Sequence, residues 1–272
     1  MRGTRRWAAS CTLVSALCLP GQQVRSQSPP RVSTPEGLRL LHKMQQALGG
    51  ADKLAAIRDY EETIRGETWN PDGSHLGYVR KRTRWIKQAN VVRLDQTGAR
   101  DTYVLYYDGN AGAGWEILPD VTGADPLRTT GKAVDLTGGE LQFAKNYLSG
   151  FQINLWLADR IPGFIVTSPS PNVIRIEHDG AATALTLDPV TSLPLKTNGV
   201  SLANPDRPVR NELRYEAWTD VAGVRFPTKR ANYLNGMKLG AITDASIHVN
   251  IGLQPQALAL RPTNAMPEIP QD

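Results

Sequence analysis

The stretch Tyr78-Val79-Arg80-Lys81-Arg82-Thr83-Arg84-Trp85-Ile86-Lys87-Gln88-Ala89-Asn90-Val91-Val92-Arg93 decides the fold class. Its β-branched and aromatic residues favour an extended chain, yet Tyr78 to Lys87 carries too many charges to be buried on both faces. A strand of this kind suits an antiparallel sheet with one face toward water. Around it, from Asp59 to about Pro119, further β-branched and aromatic runs are separated by Asn70-Pro71-Asp72-Gly73, Gln96-Thr97-Gly98 and Asp108-Gly109-Asn110. The spacing predicts five antiparallel strands joined by short hairpins.

Toward the amino terminus, Thr34-Pro35-Glu36 reads as a helix start, with Thr34 as cap and Pro35 in the first turn. Leu38, Leu41, Met44, Gln45 and Leu48 follow at near-helical spacing, Gly49-Gly50 ends the helix, and Ala51 to Ile57 makes a further short turn. Toward the carboxyl terminus, Gly139 to Arg160 reads as one long helix: Phe143, Tyr147, Phe151 and Leu155 recur every four residues, with Leu141, Leu148 and Trp156 widening the stripe. From Phe164 the strands resume, divided by Pro169-Ser170-Pro171-Asn172, His178-Asp179-Gly180, Asp188-Pro189, Asn204-Pro205-Asp206 and Asn235-Gly236. The last pair is a two-residue hairpin signal between Arg225 to Leu234 and Met237 to Val249. Helix, strands, helix, strands leaves too few crossover helices for a parallel sheet.

The first 26 residues read as an export leader: Arg2, Arg5 and Arg6, an apolar run from Ala8 to Leu19, a Pro20-Gly21 break, and small residues placing the cut near Ser26. The run is shorter than the roughly 20 residues of a membrane span. Both cysteines, Cys11 and Cys18, fall within it, so the remainder is expected to hold no disulfide or thiolate site. Four of the 31 basic residues also leave with it, Arg25 being the fourth, so charge comes close to balance against 26 acidic residues. That balance gives no basis for nucleic-acid binding. The expected organisation is a leader over 1–26, a linker over 27–34, a single domain over 35–262 and a flexible tail over 263–272, in a periplasmic protein.

No common signature of catalysis stands at the spacing its chemistry needs. A phosphate loop fails at Gly131-Lys132, which Ala133 follows, and Gly109, Gly112 and Gly114 precede no crossover helix. There is no His-Glu-x-x-His pair and no Gly-x-Ser-x-Gly elbow. His42, His75, His178 and His248 lie on separate predicted elements, so no catalytic residue, metal site or cofactor is assigned. Adjacent Glu61 and Glu62 point to opposite faces of a strand, one as a solvated charge and one as a rim polar group. Arg80, Arg82 and Arg84 share one strand face, either simply solvated or forming an anion-attracting patch toward lipid headgroups or an acidic partner.

Several short pieces, taken in order, resemble the LolA/LolB-like periplasmic lipoprotein-localisation fold family. They are the first helix leading into Tyr60 to Thr68; Trp85 to Arg93 as a strand-turn-strand; Tyr106-Tyr107-Asp108-Gly109 with Trp115; Leu185 to Asp188; and Gly252-Leu253 through Ala257 to Leu260 and Pro262. The resemblance implies a mainly β (α+β) fold: a strongly curved antiparallel sheet forming an incomplete barrel, its concave face covered by the two helices. It implies no catalysis, and a cup holding a hydrophobic ligand such as an acyl chain or lipoprotein, lined by Trp85, Tyr107, Trp115, Phe143, Tyr147, Phe151 and Leu155. It also implies transient contact with an envelope membrane or membrane protein. Gln88 stands at the lid-turn position where the family carries arginine, and Ala89 where it carries proline; this departure weakens the implication of literal lipoprotein shuttling while leaving the fold. A cup filled by the chain's own side chains would make an interaction, assembly or sensor module instead, and convergent polar groups an enzyme. The ligand's identity and the oligomeric state stay open at this level.

Overall fold

In the computed structural model, which describes residues 32–99, 102–119, 129–178, 181–201, 209–261 and 269, the chain enters its fold at a capped helix. The Thr34 hydroxyl accepts the Gly37 amide at 3.1 Å, and Pro35 opens α1, Pro35–Ala47. Such a cap is worth about 1 kcal/mol. Leu40, Leu41, Met44 and Gln45 form its buried stripe. The helix stops at Leu48 because Gly49 turns to φ 120°, and a Cβ there would stand 2.2 Å from the Gly223 carbonyl oxygen. Helix α2, Ala51–Ala55, follows.

Thirteen strands then form one antiparallel sheet. They are β1 Asp59–Trp69, β2 His75–Ile86, β3 Val91–Gly98, β4 Thr102–Asp108, β5 Ala113–Pro119, β6 Thr129–Asp135, β7 Ile165–Ser170, β8 Val173–His178, β9 Ala181–Leu187, β10 Pro194–Ser201, β11 Val209–Val221, β12 Val224–Leu234 and β13 Met237–Val249. The spatial order is β6-β5-β4-β3-β2-β1-β13-β12-β11-β10-β9-β8-β7. Every connection is a neighbour-to-neighbour hairpin except the helical passage from β6 to β7 and the pairing of β1 with β13. The sheet does not close; it is an open half-barrel, as the resemblance implies. The Asn235-Gly236 turn has both residues at positive φ, 50° and 86°, as a tight hairpin requires.

Two dry layers flank the sheet. On the inner face, Tyr60, Trp85, Val92 and Tyr107 stand in one cross-strand row and join Leu94, Leu105, Phe226 and Ile247 in the main core beneath the helices. Each fully buried side chain of this size contributes about 1.5–3 kcal/mol. On the outer face, Ile86, Val91, Val104, Tyr106, Trp115 and Ile117 pack against Leu258 of a short helix, α5, Pro255–Ala259. The expected wet face is therefore dry over β2 to β5.

Three further expectations are corrected. Gln96-Thr97-Gly98 belongs to β3, so the turn comes after Gly98. A sixth strand, β6, precedes the middle helix. The single helix over 139–160 is three pieces: α3 Gly138–Ser149, α4 Gln152–Trp156 and a 3₁₀ turn Ala158–Arg160. The break lies at Phe151, whose ψ of 135° is extended, and the Asn154 side-chain amide donates to the Leu148 carbonyl at 2.8 Å, satisfying a group the break sets free. The leader, most of the linker, Asn204-Pro205-Asp206 and most of the tail lie outside the described residues.

Candidate functional site

The aromatic positions assigned to the cup separate into three environments. Trp85, Tyr107, Phe151 and Leu155 are buried in the main core, and Trp85 stacks on Phe151 with ring centroids 5.2 Å apart. Phe143 and Tyr147 belong to α3, before the break; Tyr147 is partly buried at the edge of that packing, and Phe143 remains 50% exposed, 6.2 Å between their rings. Trp115 lies on the other side of the sheet. Paired with Tyr106 and directed outward, it stacks on that ring, lies near the Arg93 guanidinium and donates through Nε1 to the Ala259 carbonyl at 3.2 Å.

Beside Phe143 and Tyr147 the inner face changes character. Because Arg80, Arg82 and Arg84 alternate outward, Lys81 points inward, opposite Ile64 on β1 and Gln96 on β3. Its ammonium donates to the Tyr147 hydroxyl at 3.4 Å and lies 5.3 Å from that ring. Burial opposes the charge on Lys81, but the phenols of Tyr147 and Tyr103 and the Glu62 carboxylate outweigh it and raise its pKa. Glu62 is not a rim group: it is buried and accepts from the Arg230 guanidinium at 2.5 Å. Tyr60 receives a hydrogen bond on its hydroxyl from the Gln152 amide at 3.2 Å, and burial pushes its pKa far up. Tyr215, paired directly with Arg230 across β11 and β12, is likewise pushed up by burial. Lys81, Glu62, Arg230, Tyr60 and Tyr215 thus make one polar cluster on the inner face. Neither Lys81 nor Arg230 stands out in the sequence; the odd-even parity of the basic residues on β2 is the available signal, since Lys81 faces opposite to its arginine neighbours.

The outward arginines are not a solvated row. Arg84 is buried against Asp95 at 2.6 Å, and Arg82 binds Glu61, itself buried, at 2.7 Å. Arg93, fully buried, holds Asp95 through two bonds of 3.1 Å and donates to the carbonyls of Leu258 and Leu260. Gln88 is exposed in the β2–β3 turn and lines a cleft of about 410 Å³ with Arg58, Asp59, Asn250, Gly252 and Pro255. Among the described residues no group of three His, Cys, Asp or Glu side chains could hold a metal ion, and no helix is long and apolar enough to cross a membrane.

No protein-family model matches the sequence, and a search of curated proteins finds no match. Among solved structures, a DUF1329 family protein from Desulfovibrio piger is similar at 14% identity, with 84% of this chain and 99% of that chain covered and a TM-score of 0.51. The likeness is one of fold. A domain described as an outer membrane lipoprotein-sorting protein from Vibrio parahaemolyticus is similar at 12% identity, over 82% of this chain and 97% of that one, with a TM-score of 0.49. A LolA superfamily protein from Nitrosomonas europaea is similar at 15% identity, over 80% and 97%, with a TM-score of 0.47.

Proposed function

We propose that the protein is a non-catalytic, periplasmic half-barrel that binds a hydrophobic, acyl-bearing ligand on the part of its inner face flanked by α3. The observation that carries this reading is the state of Phe143 and Tyr147: two neighbouring aromatic rings on the helix over the sheet, one half exposed and one partly buried beside the inner-face Lys81. An apolar chain laid there gains about 0.8 kcal/mol for each methylene removed from water. No nucleophile, base and orienting group converge at the polar cluster in the manner of a catalytic triad, and its strongest interaction is a closed ion pair. The test is mass spectrometry of lipids extracted from the natively purified protein. A stoichiometric acyl species is expected; empty extracts, together with no binding of added fatty acids, would overturn the reading.

A second reading, an interaction or assembly module, is favoured by one specific feature: the middle of the cup is filled by Trp85, Tyr107, Phe151 and Leu155. It predicts empty extracts and a protein partner recovered at the exposed Phe143.

A further inference from the structure

We infer that the ligand of this inner face is an anionic amphiphile, whose negatively charged head, a carboxylate or a phosphate, is received by Lys81 together with Tyr147. The inference rests on the acyl-binding reading above and names the chemistry at the polar end of that ligand. It follows from a count of charges and of hydrogen-bonding groups. The inner cluster contains two cations, Lys81 and Arg230, and one carboxylate, Glu62. Glu62 is committed to Arg230 at 2.5 Å. Among the described residues, no carboxylate lies within ion-pairing distance of the Lys81 ammonium, whose single hydrogen-bond partner is the Tyr147 hydroxyl at 3.4 Å. The next carboxylate on this face, Glu116, is three strands away on β5, roughly 14 Å at the ordinary strand spacing.

Donors also outnumber acceptors. An ammonium offers three N–H groups, and Lys81 uses one. The Nε of Arg230 is buried without an acceptor among the described residues. Buried or half-buried polar groups are normally satisfied, by water or by a ligand oxygen, so the unused donors of this cluster can receive an anionic head. An anionic oxygen supplies the missing acceptor and the missing charge at once. The phenols and Glu62 keep Lys81 protonated through neutral pH, so the cation is present when the ligand arrives. Position completes the argument: Phe143 lies one helical turn before Tyr147 on α3, so a head held at Lys81 leaves its chain beside the half-exposed aromatic ring.

The experiment compares three probes on the full protein freed of its leader: palmitate, hexadecyl phosphate and hexadecanol, which share a chain length and differ in the head. Wild type is expected to bind at least one of the two anions roughly tenfold or more tightly than the alcohol. Whether palmitate or the phosphate gains more tells a carboxylate head from a phosphate head. Lys81→Met is expected to reduce that preference to near unity, by a larger loss for the anions than for hexadecanol, and Lys81→Arg to retain it. Equal binding of all three probes by wild type, or a preference that survives in Lys81→Met, would overturn the inference and leave acyl binding standing. Failure of all three to bind would remove acyl binding and this inference together. A thermal melt of each variant separates loss of the head contact from loss of the fold.

Discussion

Arg93 is a charged side chain with 0% exposure, held by Asp95, by two carbonyls of the segment around α5 and by the face of Trp115. Removing one partner of a buried pair leaves the other charge stranded, at a cost of about 3–5 kcal/mol. Arg93→Met is therefore expected to lower stability to urea by about that amount and to expose the chain near Leu258 to limited proteolysis; unchanged cleavage there would show that Leu258 and the Trp115 hydrogen bond hold α5 without Arg93. A milder effect belongs to Glu212, whose carboxyl is lowered from 4.5 to about 2 by hydrogen bonds from Lys196, Asn198 and Arg214. Because the folded-state pKa is depressed, the stabilisation is present above pH 4.5 and is lost as the pH falls toward 2. Its partners are substantially exposed, so we expect roughly 1 kcal/mol. Wild type should exceed Glu212→Gln by that margin at pH 6 and match it near pH 2 in paired denaturation curves.

At the scale of elements, the break between α3 and α4 assigns different roles to residues that share a helical spacing in the sequence. Phe151, buried between Trp85 and Tyr60, is expected to cost about 3–5 kcal/mol when replaced by Ala. Phe143→Ala should fall within about 0.5 kcal/mol of wild type. A melting experiment giving the two variants equal losses would mean that α3 and α4 act as one packed helix. The spacing of four from Phe143 to Leu155 concealed the break, because the apolar stripe runs on in sequence while the backbone turns extended at Phe151. Other elements were legible because their chemistry is local. Thr34-Pro35 encodes its own cap, and Asn235-Gly236 encodes a turn with two left-handed residues. The outer layer was hidden for the opposite reason: its contacts join β2 to β5 with Leu258, far along the chain, and sparse apolar residues near the terminus announce no partner. Lys81 stands out no more than the arginines beside it, because charge is visible in sequence whereas the helix that lies over it is not.

Over the whole molecule, charged strands between turn signals, with too few crossover helices, foretold an antiparallel sheet, but whether it closes depends on β6 and β7, which no local pattern identifies as edges. Both are short and ill suited to a further partner: β7 contains Pro169, which has no amide to donate, and β6 carries Gly131 and Lys132. The middle of the chain thus lies at the two rims and the two ends meet in the centre, where Tyr60 stands opposite Val249. That arrangement has a kinetic side. Each hairpin on either wing closes over nine residues or fewer, but the seam between β1 and β13 can zip only after nearly the entire chain is available, and contacts so distant in sequence form slowly. Until then the molecule is two half-sheets, each with a raw inner border at β1 or β13, and those borders are where nascent chains would stick to one another.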